Sequence, residues 1–171
     1  RLLGEIDRRF PEFAGPRTVW TCGRVAFEPG APSIIPGRAE ALFQFRDTDP
    51  AVLDRLDGEL RRLVEDANRG HCPVTLEVMG QSRPAKMNER LCGHVAGAAE
   101  AYAPGRWITM PSGAGHDAQY AARVMPTAML FVPSIGGISH HWSENTSDED
   151  IALGAQVYCD AVEAILEDKV G

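Results

Sequence analysis

The run Arg38-Ala-Glu-Ala-Leu-Phe-Gln-Phe-Arg46 precedes a leucine-rich segment that opens with Asp49-Pro50. Alanine and phenylalanine alternate with more polar residues in this run, which predicts a strand with one covered face. Asp49 before Pro50 is a typical helix start, and leucines then recur at three- and four-residue steps before Gly70. The predicted helix presents one apolar face, which is formed by Leu53, Leu56, Leu60 and Leu63.

The segments around this strand and helix predict a split β-α-β arrangement. Residues 2–10 carry apolar side chains at helical spacing, residues 18–28 are rich in β-forming residues, and residues 73–79 alternate again. Helix, strand, strand, helix, strand is the order of a ferredoxin-like sandwich that lacks its first strand. Because no capping residue precedes the first helix, we expect the chain to begin inside a helix and to be a portion of something longer.

A change of composition at residues 80–84 predicts a second unit, so we expect one unit at 1–83 and another at 84–171. The second is predicted to be an α/β segment whose irregular loops follow strand ends, where the sites of such folds tend to lie. Ser147, with three acidic residues after it, is predicted to cap the last helix. The expected helices are 88–103, 115–124 and 147 to about 168, and the expected strands are 107–110 and a buried one at 127–132.

The composition predicts an ordered, acidic protein. The chain is 44% hydrophobic, and 17 Lys plus Arg against 24 Asp plus Glu give a net charge of -7. No cluster of basic residues interleaved with aromatics offsets this charge, so neither nucleic acid nor an anionic membrane is expected as a partner. The sequence shows no apolar run of about 18 residues and no export leader, so a cytoplasmic location is expected by default.

The four cysteines, Cys22, Cys72, Cys92 and Cys159, lie far apart and form no Cys-x-x-Cys pair. Most of them stand in apolar or element-like surroundings. We therefore predict buried thiols in a reducing compartment rather than a disulfide framework.

Three irregular segments carry more chemistry than connectors need. The first combines Ser33, in the turn-rich loop 29–37, with Arg46 at a strand end. The guanidinium of Arg46 has the fork geometry that matches two carboxylate oxygens. The alternative is a surface ion pair of Arg46 with Asp47 or Asp49.

The second segment is Pro111-Ser-Gly-Ala-Gly-His116-Asp117-Ala. Its glycines permit close approach of the backbone to a ligand, and a helix N-terminus after them would favour developing negative charge. His116 either donates a hydrogen bond to an oxyanion there or, with Asp117, merely caps the helix. Ser112 does not match a nucleophile elbow, because Met110 stands where that turn needs glycine.

The third segment is Gly136-Gly-Ile-Ser-His140-His141. Its two glycines permit a backbone path closed to other residues, and the adjacent imidazoles are expected to point in different directions. One histidine is a weak metal site by itself, because metals need three or four ligands and the sequence shows no dense set of them.

These segments resemble the signatures of one known family, in its order and at close to its spacings. They are Ser112-Gly-Ala-Gly-His-Asp-Ala118, Phe131-Val-Pro-Ser, Gly136-Gly-Ile-Ser-His140, and Pro36-Gly with Arg46. The family is the dinuclear-metal amidohydrolases, which comprise N-carbamoyl-L-amino-acid hydrolases, allantoate amidohydrolases and β-ureidopropionases and are relatives of the aminoacylase-type metallopeptidases. The resemblance implies only the C-terminal part of such an enzyme: an incomplete ferredoxin-like α+β lid (dimerisation) domain, then the C-terminal α/β segment of the metallopeptidase-like catalytic domain.

The resemblance also implies roles for four residues. His140 matches the family's last ligand to one of two divalent ions, which are usually zinc, manganese or cobalt. His116 matches a histidine that holds the substrate or its tetrahedral transition state, and Arg46 matches the arginine that grips the substrate carboxylate. Ser33 stands where the family commonly has an asparagine that assists, a departure that bears on the identity of the substrate.

The implied activity is cleavage of a carbamoyl, ureido or amide C–N bond of a small carboxylate-bearing substrate by metal-activated water. The family's upstream segment, with the other ligands and a general-base glutamate, has no counterpart in this sequence. We therefore expect the chain to be inactive without a missing N-terminal part or a second chain, and to form a homodimer through the lid. The alternative is an inactive dimerisation or regulatory module derived from such an enzyme.

Overall fold

The computed structural model describes residues 1–168, which form a mixed α/β protein of the class predicted. The chain divides into two compact units, Arg1–Pro84 and Ala85–Gly171. Among the described residues, a two-stranded sheet lies in the first unit, and the second unit consists of helices joined by long irregular segments. No helix within 1–168 combines the length and the apolar character needed to cross a bilayer.

The first unit begins with the predicted order of helix, strand, strand and helix. Its two strands are antiparallel, with Val19 opposite Arg46. The second helix starts as predicted, because the carboxylate of Asp49 accepts a hydrogen bond from the N–H of Ala51 at 2.8 Å. The elements are α1 (Leu2–Arg9), β1 (Val19–Glu28), β2 (Arg38–Arg46) and α2 (Pro50–Ala67), with a 3-10 turn at Phe10–Glu12 after α1.

The core of the first unit lies between the two helices and the hairpin. Phe10 and Leu56 are fully buried. Three aromatic rings of the strands surround Phe10, with centroids 5.7 to 5.8 Å from its own: Trp20, Phe43 and Phe45. Because only this part of the hairpin is covered, Ala39 and Ala41 of β2 are exposed although the alternation predicts them on the covered face.

Residues 73–79 do not form the predicted strand, so that prediction is wrong. Val78 and Met79 are exposed. The start of this segment is held by the side chain of Asn68, which accepts a hydrogen bond from the N–H of Val74 at 2.7 Å and donates one to the carbonyl of Val74 at 2.8 Å. A strand needs the backbone of a neighbouring strand, and the sheet described here contains only β1 and β2.

The second unit is built on two helices that pack through small side chains. Its elements are α3 (Glu89–Tyr102), α4 (Ala118–Ala121) and α5 (Asp148–Glu167), with a 3-10 turn at Ile135–Gly137. The buried cluster consists of Ala98 and Ala99 from α3 with Val157 and Ala161 from α5. The last helix starts as predicted, because Ser147 Oγ accepts a hydrogen bond from the N–H of Asp150 at 3.1 Å.

Three other predictions for the second unit are wrong. Residues 107–110 and 127–132 are irregular, and Phe131 in the second of these segments is exposed rather than buried. The carbonyl of Thr127 accepts a hydrogen bond from the N–H of Asn88 at 2.8 Å, outside any strand ladder. The helix expected at 115–124 is reduced to the single turn of α4.

The prediction of buried thiols is also wrong. Cys22, Cys72 and Cys159 are exposed, and Cys92 is half-buried. Apolar neighbours in sequence did not produce burial here, because Cys22 lies on the hairpin and Cys159 on a face of α5 that the core does not cover.

Candidate functional site

His116 lies in the glycine-containing loop before α4 and is half-buried. Its Nε2 atom lies 2.7 Å from Ser112 Oγ, and its ring packs against the ring of Phe131 with the centroids 5.3 Å apart. The N–H of Ala114 donates to the same serine oxygen at 3.2 Å. The imidazole of His116 therefore contacts the hydroxyl group of Ser112 through Nε2 and packs against the ring of Phe131.

The helix dipole contributes little at this loop. Because α4 has four residues, it provides only a fraction of the dipole expected of a full helix. Asp117 stands at its N-cap, but the side chain accepts no capping hydrogen bond. The geometry thus does not support the helix-dipole argument for His116, and it also does not support a side-chain cap by Asp117.

The twin-glycine loop has the unusual backbone that the sequence predicts. Gly136 and Gly137 have φ of 67° and 68°, and His140 has φ of 56°, which is uncommon for a residue with a Cβ. The N–H of His140 donates to Glu144 Oε2 at 2.7 Å. Residues held in the left-handed region by surrounding contacts concentrate at functional sites.

The two adjacent histidines of this loop have different surroundings. His140 is exposed. The Nδ1 atom of His141 lies 2.8 Å from Ser143 Oγ, and its ring packs against Trp142 with the centroids 5.4 Å apart. Both histidines are exposed, and they differ in that the ring of His141 is engaged by its neighbours Trp142 and Ser143.

The residues described do not complete a metal site. Within 1–168 there is no group of three or more His, Cys, Asp or Glu side chains that could hold a metal ion. His140 is a single imidazole, and a dinuclear centre requires several more ligands. The described side chains therefore offer one candidate ligand, His140, and do not form such a centre by themselves.

Ser33 and Arg46 lie at opposite ends of the hairpin in the first unit. Ser33 is exposed in the loop that joins the strands, where Glu28 pairs with Arg38, and Arg46 is the last residue of β2. At a rise of about 3.4 Å per residue, β2 spans roughly 27 Å. Within one copy of this unit, the two side chains are not brought together.

The carboxylates next to Arg46 are engaged by neighbouring donors. Asp47 accepts hydrogen bonds from the hydroxyl of Thr18 and from the N–H of Asp49, the latter at 2.8 Å. Burial raises the pKa of Asp47, but these hydrogen bonds outweigh it and leave the pKa below its ordinary value. Asp47 and Asp49 thus serve the turn between β2 and α2, where Asp49 also caps α2.

The second unit also contains a cavity of about 260 Å³ that includes neither His116 nor His140. Its lining residues are Lys86, Asn88, Ala122, Met125, Pro126 and Thr127.

Sequence reasoning missed two residues that support the site histidines. Ser112 was considered only as a nucleophile, and Glu144 was not considered. Both are four residues from the histidine that they contact, and that spacing within a loop is the signal that could have found them.

Comparison with known proteins places these loops in a family. The profile of Peptidase family M20/M25/M40 matches residues 6–164. The N-carbamoyl-L-amino-acid amidohydrolase of Rhizobium meliloti is 34% identical over 86% of this chain and 35% of its own length. The allantoate amidohydrolase of Bacillus subtilis (strain 168) is 35% identical over 94% of this chain and 39% of its own length.

A solved structure shows the same similarity. The crystal structure of an amidase (hydantoinase/carbamoylase family) from Burkholderia phymatum superposes with a TM-score of 0.85 at 40% identity, over 96% of this chain and 39% of that one. The chain spans between a third and two fifths of the length of these relatives. The chain belongs to Peptidase family M20/M25/M40, and its resemblance to the N-carbamoyl-amino-acid and allantoate amidohydrolases is confirmed.

Proposed function

We propose that this chain is a portion of a metal-dependent amidohydrolase that cleaves a carbamoyl, ureido or amide C–N bond of a small carboxylate-bearing substrate. Two of its relatives are named as amidohydrolases of an N-carbamoyl amino acid and of allantoate. In this proposal the first unit is most of the lid, and the second unit is the closing segment of the catalytic domain.

The observation that carries the proposal is the backbone of the twin-glycine loop. Three residues of this short loop are left-handed, and the last of them is a histidine whose N–H is held by Glu144. For His140, which has a Cβ, this conformation costs on the order of 1 kcal/mol or more and persists only where surrounding contacts impose it. The backbone of His140 is thereby held while its imidazole is exposed, an arrangement that suits a metal ligand.

Each site residue has a proposed role that matches its chemistry. His140 binds one of two divalent ions, which are zinc, manganese or cobalt, and the remaining ligands come from outside residues 1–168. His116 donates a hydrogen bond to the oxygen on which negative charge develops. Arg46 binds the substrate carboxylate with its guanidinium fork, and Ser33 assists carboxylate binding. Because the two residues lie at opposite ends of the hairpin, a second copy of the unit is one source of the residue that the first copy cannot supply.

The bond changes follow from the substrate class. Water adds to the carbonyl carbon of the ureido group, and the tetrahedral species then collapses with loss of the substrate amine and cleavage of the C–N bond. The carbamate released from a carbamoyl substrate decomposes to ammonia and carbon dioxide. The residues described here supply oxyanion and carboxylate contacts but no general base for the water, so the chain alone is expected to be inactive.

Co-expression with a polypeptide that supplies the other parts of the relatives tests the proposal. Ammonia release from N-carbamoyl amino acids and from allantoate is the assay. We expect His140→Ala to lower activity about 100-fold or more, and His141→Ala, the matched control whose ring is engaged by Ser143, to change it only a few-fold. Activity that survives His140→Ala contradicts the proposed role of His140.

The alternative is a dimerisation or regulatory module with idle site residues. The lid unit would then form a homodimer without chemistry. Metal analysis of the purified protein, with and without a companion polypeptide, separates the two functions. Stoichiometric zinc or manganese supports the enzyme, whereas a metal-free dimer that stays inactive in every co-expression supports the module.

A further inference from the structure

Ser112 and His116 share a hydrogen bond whose proton belongs either to the hydroxyl group or to Nε2, according to the tautomer of the ring. A separation of 2.7 Å is typical of a hydrogen bond donated by a hydroxyl group, whereas N–H donors are usually found at about 2.9–3.0 Å. The peptide N–H of Ala114 can only donate, so it occupies a lone pair of the serine oxygen at 3.2 Å. Donation of the hydroxyl proton of Ser112 to Nε2 of His116 is compatible with both contacts and uses the one donor that the serine has.

A neutral imidazole has one donor and one acceptor nitrogen. When Nε2 accepts from Ser112, the proton of the ring is on Nδ1. This is the less populated tautomer of a histidine in water, so the surroundings of the ring have to select it. The aromatic contact with Phe131 limits rotation of the same ring, with an angle of 53° between the two planes.

We propose that Ser112 is a positioning residue that holds neutral His116 in the Nδ1–H form and aims this N–H at the substrate. This inference rests on the proposed function in one respect only: the recipient of the hydrogen bond is the developing oxyanion of an amide or ureido group. A donor fixed in direction and in tautomer stabilises that charge without reorganising during the reaction. Without Ser112, the ring would populate the Nε2–H form and present an acceptor at Nδ1.

Long-range ¹H–¹⁵N NMR spectra of the full chain labelled with ¹⁵N-histidine test the tautomer directly. The chain has five histidines, and the signals of His116 are identified by their loss in His116→Gln. At about pH 8.5, where imidazoles are uncharged, we expect a protonated Nδ1 and an unprotonated Nε2. Ser112→Ala is expected to move the pattern towards protonated Nε2, and Ser112→Thr, which keeps a hydroxyl group, is expected to preserve it.

Two results would overturn the assignment. One is a protonated Nε2 in the unmodified chain, and the other is an unchanged pattern in Ser112→Ala when circular dichroism shows that the variant is folded. If Ser112→Ala does not fold, the spectra of the unmodified chain and of Ser112→Thr still decide, because both must show protonated Nδ1.

The activity of the co-expressed enzyme separates this inference from the proposed function. In an active complex, Ser112→Ala should lower kcat about 10-fold with little change in KM, and Ser112→Thr should recover most of the loss. Protonated Nδ1 in an inactive complex supports the positioning role while the proposed function fails. Protonated Nε2 in an active complex overturns the positioning role while the proposed function stands.

Discussion

Replacing Glu59 by glutamine is expected to destabilise the first unit at neutral pH. Glu59 is 6% exposed, and its carboxylate lies 2.6 Å from Arg62 Nη2 and 3.0 Å from Arg9 Nε. The hydrogen bond from Arg62 is the largest cause that lowers the pKa of Glu59 to about 2 from 4.5; burial opposes this lowering, and the hydrogen bond from Arg9 adds to it. The charged form is therefore the one that the fold stabilises.

The size of the effect follows from this pKa and from the exposure of the partners. A lowering from 4.5 to about 2 corresponds to at most about 3.4 kcal/mol in the free energy of unfolding. The side chains of Arg62 and Arg9 are 48% and 25% exposed, so solvent screens both interactions and about 1–2 kcal/mol is expected. Because the folded-state pKa is the lower one, this stabilisation is complete above about pH 4.5 and is lost as the pH falls towards about 2.

Urea unfolding with fluorescence detection measures the effect in the first unit. Trp20 contacts the core residue Phe10 at a centroid distance of 5.7 Å, and changing Trp107 and Trp142 to phenylalanine leaves it as the only tryptophan. We expect Glu59→Gln to lose about 1–2 kcal/mol at about pH 7 and much less at about pH 3.

The matched control is Asp57→Asn on the same helix. Asp57 pairs with Arg61 at 2.8 Å, but their side chains are 36% and 53% exposed, so solvent screens the pair and Asp57→Asn should lower the free energy of unfolding much less than Glu59→Gln. The reasoning is refuted if the two variants lose the same free energy, or if the loss in Glu59→Gln does not depend on pH.

Three further changes probe the second unit and the site. Gly154→Ala in α5 places a Cβ that overlaps Val132 Cγ1, so it should lower the free energy of unfolding by about 1–3 kcal/mol, measured by thermal unfolding. Adding Val132→Ala should relieve that cost. A rise in Tm for Gly154→Ala alone would contradict this prediction. Ser147→Ala removes the cap of α5 and should cost about 1 kcal/mol by urea unfolding, with Ser147→Thr near the unmodified value. Glu144→Ala removes the acceptor for the N–H of His140 and should lower the metal affinity of a co-expressed complex about 10-fold. Glu144→Gln keeps an acceptor oxygen and should retain most of that affinity. Equal losses in the two variants would show that this hydrogen bond does not support metal binding.

Helix starts and the twin-glycine bend could be predicted because they depend on residues close in sequence. The cap of α2 involves Asp49 and Ala51, and the cap of α5 involves Ser147 and Asp150. A double glycine likewise permits a left-handed path that other residues rarely take, and Gly136 takes that path. Local hydrogen bonds and local sterics account for each of these features.

Residue types and their order in the loops were also sufficient to indicate the family, because loop signatures depend on chemistry and not on packing. Their geometry was not predictable. The left-handed backbone of His140 is accompanied by an acceptor at Glu144, and the side-chain hydrogen bond of His116 Nε2 depends on the hydroxyl of Ser112.

Strands required information that no single segment contains. Alternation in residues 73–79, and apolar runs in 107–110 and 127–132, are compatible with strands, but a strand exists only when another backbone satisfies its N–H and carbonyl groups. The sequence by itself therefore determined the helices α1, α2, α3 and α5, the caps of α2 and α5, and the chemistry of the loops. Tertiary structure alone decided which extended segments pair and which side chains meet the two site histidines, because both depend on contacts between groups whose positions the whole unit sets.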